Sequence, residues 1–364
     1  MDAPRISAVA ATSAFGRGVE ALRDGVFSGR PAFRAVDRFP VETRRVRVAA
    51  TMPDRPDLFA ELVAAIDQAC SDAALGRHER AGCMLLLAVH AQPTRSHTAG
   101  ALATEVAAAC GLAPASRAYT GACVAGTSAL ADAASMIRSG RAERVVVAAG
   151  YLVESDQFAL FDAGRALSTD DAVRPFSAGR KGIVLGDAVA AVVLCSADAS
   201  RVELGFIAGW GRAGDAYHVC QPRPDGAGLA AAIGRALDRA AVGTAQVGYV
   251  NAHGTGTAQS DAAEAAALRA VFGRHTAPVS STKSVHGHAL EASGLLEVVV
   301  TLLALHERRL PVNAGFLERD ADCDLNLILG RPAPMSEKTS APDYALTINS
   351  AFGGANTAIL VGVE

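Results

Sequence analysis

Four short segments place reactive or ligand-binding residue types where a fold can use them. The first is Tyr119-Thr120-Gly121-Ala122-Cys123-Val124-Ala125-Gly126-Thr127-Ser128-Ala129, a small-residue turn that holds a cysteine just ahead of a helical stretch. A helix N-terminus offers free N–H groups and positive dipole potential, which favour thiolate. The same N–H groups can hold an oxyanion. Taken alone, a cysteine is more commonly a buried core residue. The second segment is Val250-Asn251-Ala252-His253-Gly254-Thr255-Gly256-Thr257, where a strand ends in a histidine and a Gly/Thr turn. Sites in α/β proteins form at strand ends, and two threonines at alternate positions suit an amide-bearing ligand. A histidine there also serves as a structural hydrogen-bonder.

The third segment is Ser281-Thr282-Lys283-Ser284-Val285-His286-Gly287-His288, followed by Ala289-Leu290-Glu291-Ala292-Ser293-Gly294. Lysine is rare in this chain, which makes Lys283 notable. His-x-His suggests a metal, but no acidic or cysteine ligand stands at metal spacing beside it, so no metal is expected. The fourth is Asn349-Ser350-Ala351-Phe352-Gly353-Gly354-Ala355-Asn356, a glycine-rich turn between two strands. Such a turn lets backbone N–H groups approach a ligand closely, and it is also an ordinary tight turn. The remaining histidines, His78, His90, His97, His218, His275 and His306, lack comparable context and read as surface or core residues. Together the segments supply a thiol, two imidazoles, a lysine and a backbone donor loop, a set suited to acyl-thioester chemistry.

The elements that must position these residues follow from the apolar pattern. Runs at 6–11, 84–88, 144–149, 188–194, 202–210, 247–252, 344–348 and 357–363 read as strands. Stretches at 58–75, 101–110, 129–138, 227–241, 260–272 and 294–306 read as helices. Strands bounded by helices imply α/β layers with mixed sheets. Two halves of similar rhythm, 1–200 with the cysteine and 201–364 with the histidines, suggest a duplicated unit joined near residue 200.

Composition narrows the function classes. The chain has 364 residues, half of them hydrophobic, and a formal net charge of −3. That is a globular composition, and it excludes a broadly basic nucleic-acid binder. Seven cysteines stand scattered, with no Cys-x-x-Cys pair, which argues against a disulfide framework. The start lacks a signal-peptide pattern, and no unbroken apolar run reaches about 18 residues. A cytoplasmic protein without a membrane span is expected.

Taken with Arg165-Ala166-Leu167-Ser168 and Arg174-Pro175-Phe176, the four segments make the chain resemble the β-ketoacyl synthases of the thiolase superfamily, of the elongating fatty-acid or type II polyketide type. The likeness runs from Arg5 to Val363. It implies a five-layer αβαβα fold from two duplicated halves, normally dimeric, and an acyltransferase of the 2.3.1 class. In this family Cys123 matches the nucleophile that takes the acyl group, and His253 and His288 match the pair that binds the extender carbonyl and drives decarboxylation. Lys283 matches the lysine that supports the site's electrostatics, and Glu297 a buried carboxylate. Thr255 and Thr257 match contacts to a phosphopantetheine arm, and Phe161 a residue of the acyl pocket. Arg165 matches a basic residue at the tunnel mouth that meets an acidic acyl carrier protein. The amides of Cys123 and of the 350–352 turn match the oxyanion hole. No cofactor is implied beyond the phosphopantetheine of the carrier. The partners implied are that carrier and a second subunit, identical or resembling a chain-length factor.

Two departures stand out. The family turn reads Asn-Ser-Phe-Gly-Phe-Gly-Gly, whereas this chain is one residue shorter and places Ala351 or Ser350 where the gating aromatic is expected. The turn is therefore expected to gate weakly. The stretch between Leu87 and Ala101 is shorter than in elongating synthases, a region that normally shapes the dimer interface and tunnel floor. Two other readings stay open. One is an acyltransferase or hydrolase on the same fold. The other is a subunit that works only beside a chain-length-factor partner.

Overall fold

The strands are apolar on both faces, and the two faces enter different cores. In Met84–Val89, Leu86 and Ala88 join an inner core, while Leu85, Leu87 and Val89 join an outer one. Arg144–Tyr151 repeats this, with Val145, Val147 and Ala149 inward and Val146 and Ala148 outward. In Ala355–Val363, Ile359 and Val361 join the same inner core, and Ala358 and Leu360 a second outer one. Two-sided burial is why these segments read as continuous apolar runs rather than alternating ones. The computed structural model describes residues 3–90, 98–114, 116–273, 277–335 and 343–364. His97 and His275, and most of the shortened stretch after Leu87, lie outside the described residues.

The strand order carries the duplication. From one edge it runs Ser116–Tyr119, Met84–Val89, Arg144–Tyr151, Ala188–Cys195, Arg5–Ser13. It continues Gly205–Gly214, Ala355–Val363, Asp343–Ala351, Val247–Asn251, Val279–Ser280. Each half places its first strand at the junction, its third at the edge, and its second, fourth and fifth between. Parallel and antiparallel pairings match strand for strand. The strands of the two halves pair with each other through Arg5↔Phe206 and Ile6↔Gly205.

Helices Ala125–Arg138 and Leu290–His306 pack on each other and on strands of both halves, forming the central layer. Leu290–His306 is buried almost all round, as a helix between two sheets must be. Leu58–Asp72 and Ala99–Ala109 cover the outer face of the first half. Ala227–Ala240, with Ala258–Phe272 against it, covers the second. The architecture is thus the expected five layers.

Differences from the sequence reading are local. Helices Val19–Ser28, Arg77–Gly82 and Ser155–Ala163 were not among the expected elements. Ser155–Ala163 hides its period because two of its inward residues, Gln157 and Asp162, are polar. The strand expected at 202–210 is Gly205–Gly214.

Candidate active site

Cys123 sits in a single 3-10 turn, Ala122–Val124, that leads directly into Ala125–Arg138. The residue before it, Ala122, has φ 51, in the left-handed region that side chains other than glycine rarely adopt. Strain of this kind persists only where surrounding packing imposes it. Gly126 makes the packing possible, because a Cβ there would stand 3.0 Å from the Glu291 carbonyl oxygen and 3.1 Å from the Leu295 nitrogen. Cys123 itself is buried. Burial pushes its thiol up to about 12, helped by the Glu291 charge and opposed by Lys283. This corrects the expectation of a favoured thiolate: desolvation outweighs the turn's N–H groups, and the resting thiol is neutral.

His253 and His288 face each other in a T-shaped pair, ring centroids 5.5 Å apart. Both are buried and held well below the ordinary imidazole range by desolvation and by the Lys283 charge. They are neutral donors, not cations. Glu264 fixes the first by accepting the His253 and Gly254 N–H groups at 2.6 and 2.7 Å. Burial raises the Glu264 carboxyl to about 8, against these N–H donors. At the second, Nδ1 lies 2.9 Å from Ser293 Oγ and accepts the Leu290 N–H at 3.2 Å. With Nδ1 accepting, the proton of the neutral ring is on Nε2. His253 Nδ1 is buried with no hydrogen-bond partner among the described residues. His286, the other member of His-x-His, is tied to Thr282 Oγ1 and the Gly287 carbonyl, so the pair is not a free chelate.

Lys283 and Glu297 form a fully buried ion pair, Nζ to Oε1 at 2.5 Å. The Asn349 amide donates to the other Glu297 oxygen at 2.7 Å. The pair therefore links the lysine segment, the central helix and the strand that enters the glycine turn. Desolvation raises the Glu297 carboxyl, and Lys283 opposes it.

One cavity of about 70 Å³ collects most of the expected residues: Cys123, His253, His288, Thr255, Thr257, Phe161, Ala351 and Phe352 all line it. Thr255 and Thr257 present their hydroxyls 3.0 Å apart. Lys283 and Glu297 stand behind the histidines rather than in the cavity. Arg165 is exposed beside Ala166 and does not line it. Cys220, on an exposed loop, lines the mouth and gives the cavity a second thiol.

The glycine turn departs from expectation. Ala351 lies where a gate was sought, yet an aromatic is present: Phe352 is 60% exposed and stacks on Phe161 at 6.2 Å between centroids. The turn thus keeps an aromatic against Phe161, one position after the residue where the gate was expected. Asn356 pins the turn, accepting from Ser350 Oγ and donating to Asp215 Oδ1, both at 2.7 Å. Gly354, at φ 76, has no room for a Cβ against Asp215.

Sequence reasoning missed Glu264, Ser293, Asn349, His90, Tyr151 and Glu291. Glu264 carries a signal: a carboxylate nearly two helix turns into Ala258–Phe272, after a strand-end turn, can reach back to that turn's amides. His90 was read as an isolated residue, but its Nδ1 lies 3.0 Å from Glu291 Oε1. The described residues contain no group of three His, Cys, Asp or Glu side chains that could hold a metal. None of their helices is long and apolar enough to cross a membrane.

Comparison with known proteins agrees with this geometry. Residues 87–200 match the model of the β-ketoacyl synthase N-terminal domain, and 204–317 that of its C-terminal domain. The polyketide β-ketoacyl synthase 1 of Streptomyces cyaneus is 31% identical over 95% of this chain and 94% of its own length. The 3-oxoacyl-[acyl-carrier-protein] synthase 2 of Staphylococcus aureus is 33% identical over 66% of this chain, a match spanning 61% of that protein. Among solved structures, the ishigamide ketosynthase/chain length factor superposes with a TM-score of 0.91 at 26% identity, covering 100% of this chain and 99% of the other.

Proposed function

The chain belongs to the β-ketoacyl synthase family, and from that premise we propose that this cavity carries out decarboxylative Claisen condensation of an acyl group on Cys123 with a malonyl thioester. The observation that carries the reading is the convergence of one thiol and two neutral, oriented imidazoles on a single cavity. The Cys123 sulfur attacks an acyl thioester and the incoming thiol leaves with a proton. Because the resting thiol is neutral, its proton must depart as the sulfur attacks. The Cys123 amide and an amide of the 350–352 turn receive the oxyanion of that step.

The malonyl thioester then places its carbonyl oxygen between His253 and His288. Its C–C bond to the carboxylate breaks, carbon dioxide leaves, and the electron pair becomes an enolate whose oxygen both imidazoles bind. Donors aimed at developing charge in a dry site are worth far more than in water. The enolate carbon attacks the acyl carbonyl, the Cys123 sulfur leaves, and a 3-oxoacyl thioester results. Lys283, held by Glu297, keeps the imidazoles neutral and hence donors. Thr255 and Thr257 offer hydroxyls to the amides of a phosphopantetheine arm, and no other cofactor is required. Arg165, exposed beside the cavity-lining Ala166, offers its positive charge to an acidic carrier protein. The likeness to a ketosynthase/chain length factor pair favours a dimer, with a partner of that kind as one form.

The test is to load the protein from an acyl thioester, add malonyl-carrier protein, and follow carbon dioxide and product by mass spectrometry. The acyl group is expected on Cys123 and a 3-oxoacyl carrier as product. Transfer or hydrolysis of the acyl group without carbon dioxide release would instead establish an acyltransferase or hydrolase.

A further inference from the structure

Beside the turn that carries Cys123 lies a polar cluster that the condensation does not use. Ala88 and Ala149 are register partners on neighbouring parallel strands and both face the inner core. Two residues on, His90 and Tyr151 follow on that same face, at the C-terminal strand ends. Glu291 meets them from the first turn of Leu290–His306, held at Oε1 by His90 Nδ1. Leu290, immediately before it, has φ 40, so this turn is strained as well.

Glu291 and Tyr151 are each 3% exposed. Glu291 Oε2 and Tyr151 Oη are both buried with no hydrogen-bond partner among the described residues. The turn that carries Cys123 packs on Leu290–His306, a Cβ at Gly126 would stand 3.0 Å from the Glu291 carbonyl oxygen, and Cys123 and Tyr151 share the inner core, so the three groups are neighbours. Leaving a buried carboxylate oxygen unsatisfied is costly, and a folded protein seldom does so without a ligand or a water. Glu291 accepts only, so what completes it must donate.

Phe161 is the expected acyl-pocket residue at the cavity, but the cavity at rest is too small for an acyl chain. The extender occupies the histidine side, and the cavity at rest holds about two waters' worth of space. Building on the synthase reading, we propose that the acyl group carried on Cys123 bears a hydroxyl or amino group, which donates to Glu291 Oε2 and meets Tyr151 Oη. His90 is a positioning residue that turns the carboxylate so that Oε2 stays open.

The test compares loading of Cys123 from N-acetylcysteamine thioesters of hexanoic, 3-hydroxyhexanoic, 6-hydroxyhexanoic and 6-aminohexanoic acids, read by intact mass and peptide mapping. At least one polar donor is expected to load about ten- to a hundred-fold faster than hexanoyl, the span of a hydrogen bond to a charged group. In Glu291→Gln that ratio is expected to fall about tenfold or more, and in Tyr151→Phe by less. The ratio is read within each variant, so general loss of activity does not mimic the effect. Tyr151→Phe removes a single oxygen and serves if Glu291→Gln does not fold. Hexanoyl loading as fast as every polar donor, or ratios unmoved in both variants, overturns the proposal and leaves a buried water as the completing group. Failure of all four donors to label Cys123 overturns the synthase reading, and this proposal with it.

Discussion

Two regions flank the reactive sulfur and treat their buried carboxylates differently. Around the histidines the carboxylates are answered by the protein: Glu264 takes two amides and Glu297 spans Lys283 and Asn349, although His253 Nδ1 and Asn349 Oδ1 keep no hydrogen-bond partner among the described residues. Beside the Cys123 turn, Glu291 and Tyr151 each keep an open atom. The strand order of the two halves is the same, and His90 and His253 even follow equivalent strands. The difference therefore lies in side chains, not scaffold. It teaches a division of labour: the closed region presents fixed donors to a transition state that never varies, and the open region meets the part of the substrate that does.

The sharpest break is at the sulfur. Cys123→Ala is expected to abolish acylation altogether, measured by intact mass, while exposed Cys220 still takes an alkylating reagent. Acyl transfer to Cys110 or Cys220 at a similar rate would dissolve the comparison, because neither lies between the two regions. Next is the closed network. Lys283→Met strands the Glu297 charge, and losing one partner of a buried pair costs about 3–5 kcal/mol. The denaturant midpoint should fall accordingly and recover in part when Glu297→Gln is added. No change would mean that the pair is less closed than its burial indicates.

The pH profile sharpens the sulfur's own state. Burial raises the thiol to about 12, so the neutral form prevails below that value and thiolate grows as pH rises toward it. The acylation rate is expected to climb about tenfold per pH unit above neutrality without levelling. A plateau near neutral would show a preformed thiolate. The smallest effect is at the gate. Phe352→Ala removes a stacked aromatic pair, a contact of about 0.5–1.5 kcal/mol. Loading of bulky acyl groups should then rise about two- to tenfold relative to acetyl, and an equal change for every donor would place the gate elsewhere.

Much of this was legible in the sequence. Cys123, His253 and His288 announce themselves because each ends or begins an element beside glycines and small residues, and the structure brings all three to one cavity. The strands were legible because two-sided burial writes unbroken apolar runs such as 144–149. The aromatic of the glycine turn was misplaced because a one-residue deletion has two alignments in sequence and one in space, where Phe352 stacks on Phe161. The thiol's state was misjudged because a turn reveals its dipole in sequence but not how much protein covers it. Glu291 and His90 stood out in neither pattern nor spacing. Their link spans 201 positions and exists only once two layers pack.

The division of labour is tested most directly in one sample of His253→Ala, or of His288→Ala, by measuring Cys123 loading and carbon dioxide release from malonyl-carrier protein together. Loading should persist, since the sulfur and its oxyanion amides are untouched. Carbon dioxide release should fall about 10²–10³-fold, the cost of about 3–4 kcal/mol for one oriented donor. Normal decarboxylation in both variants, or loss of loading alongside it, would contradict the account.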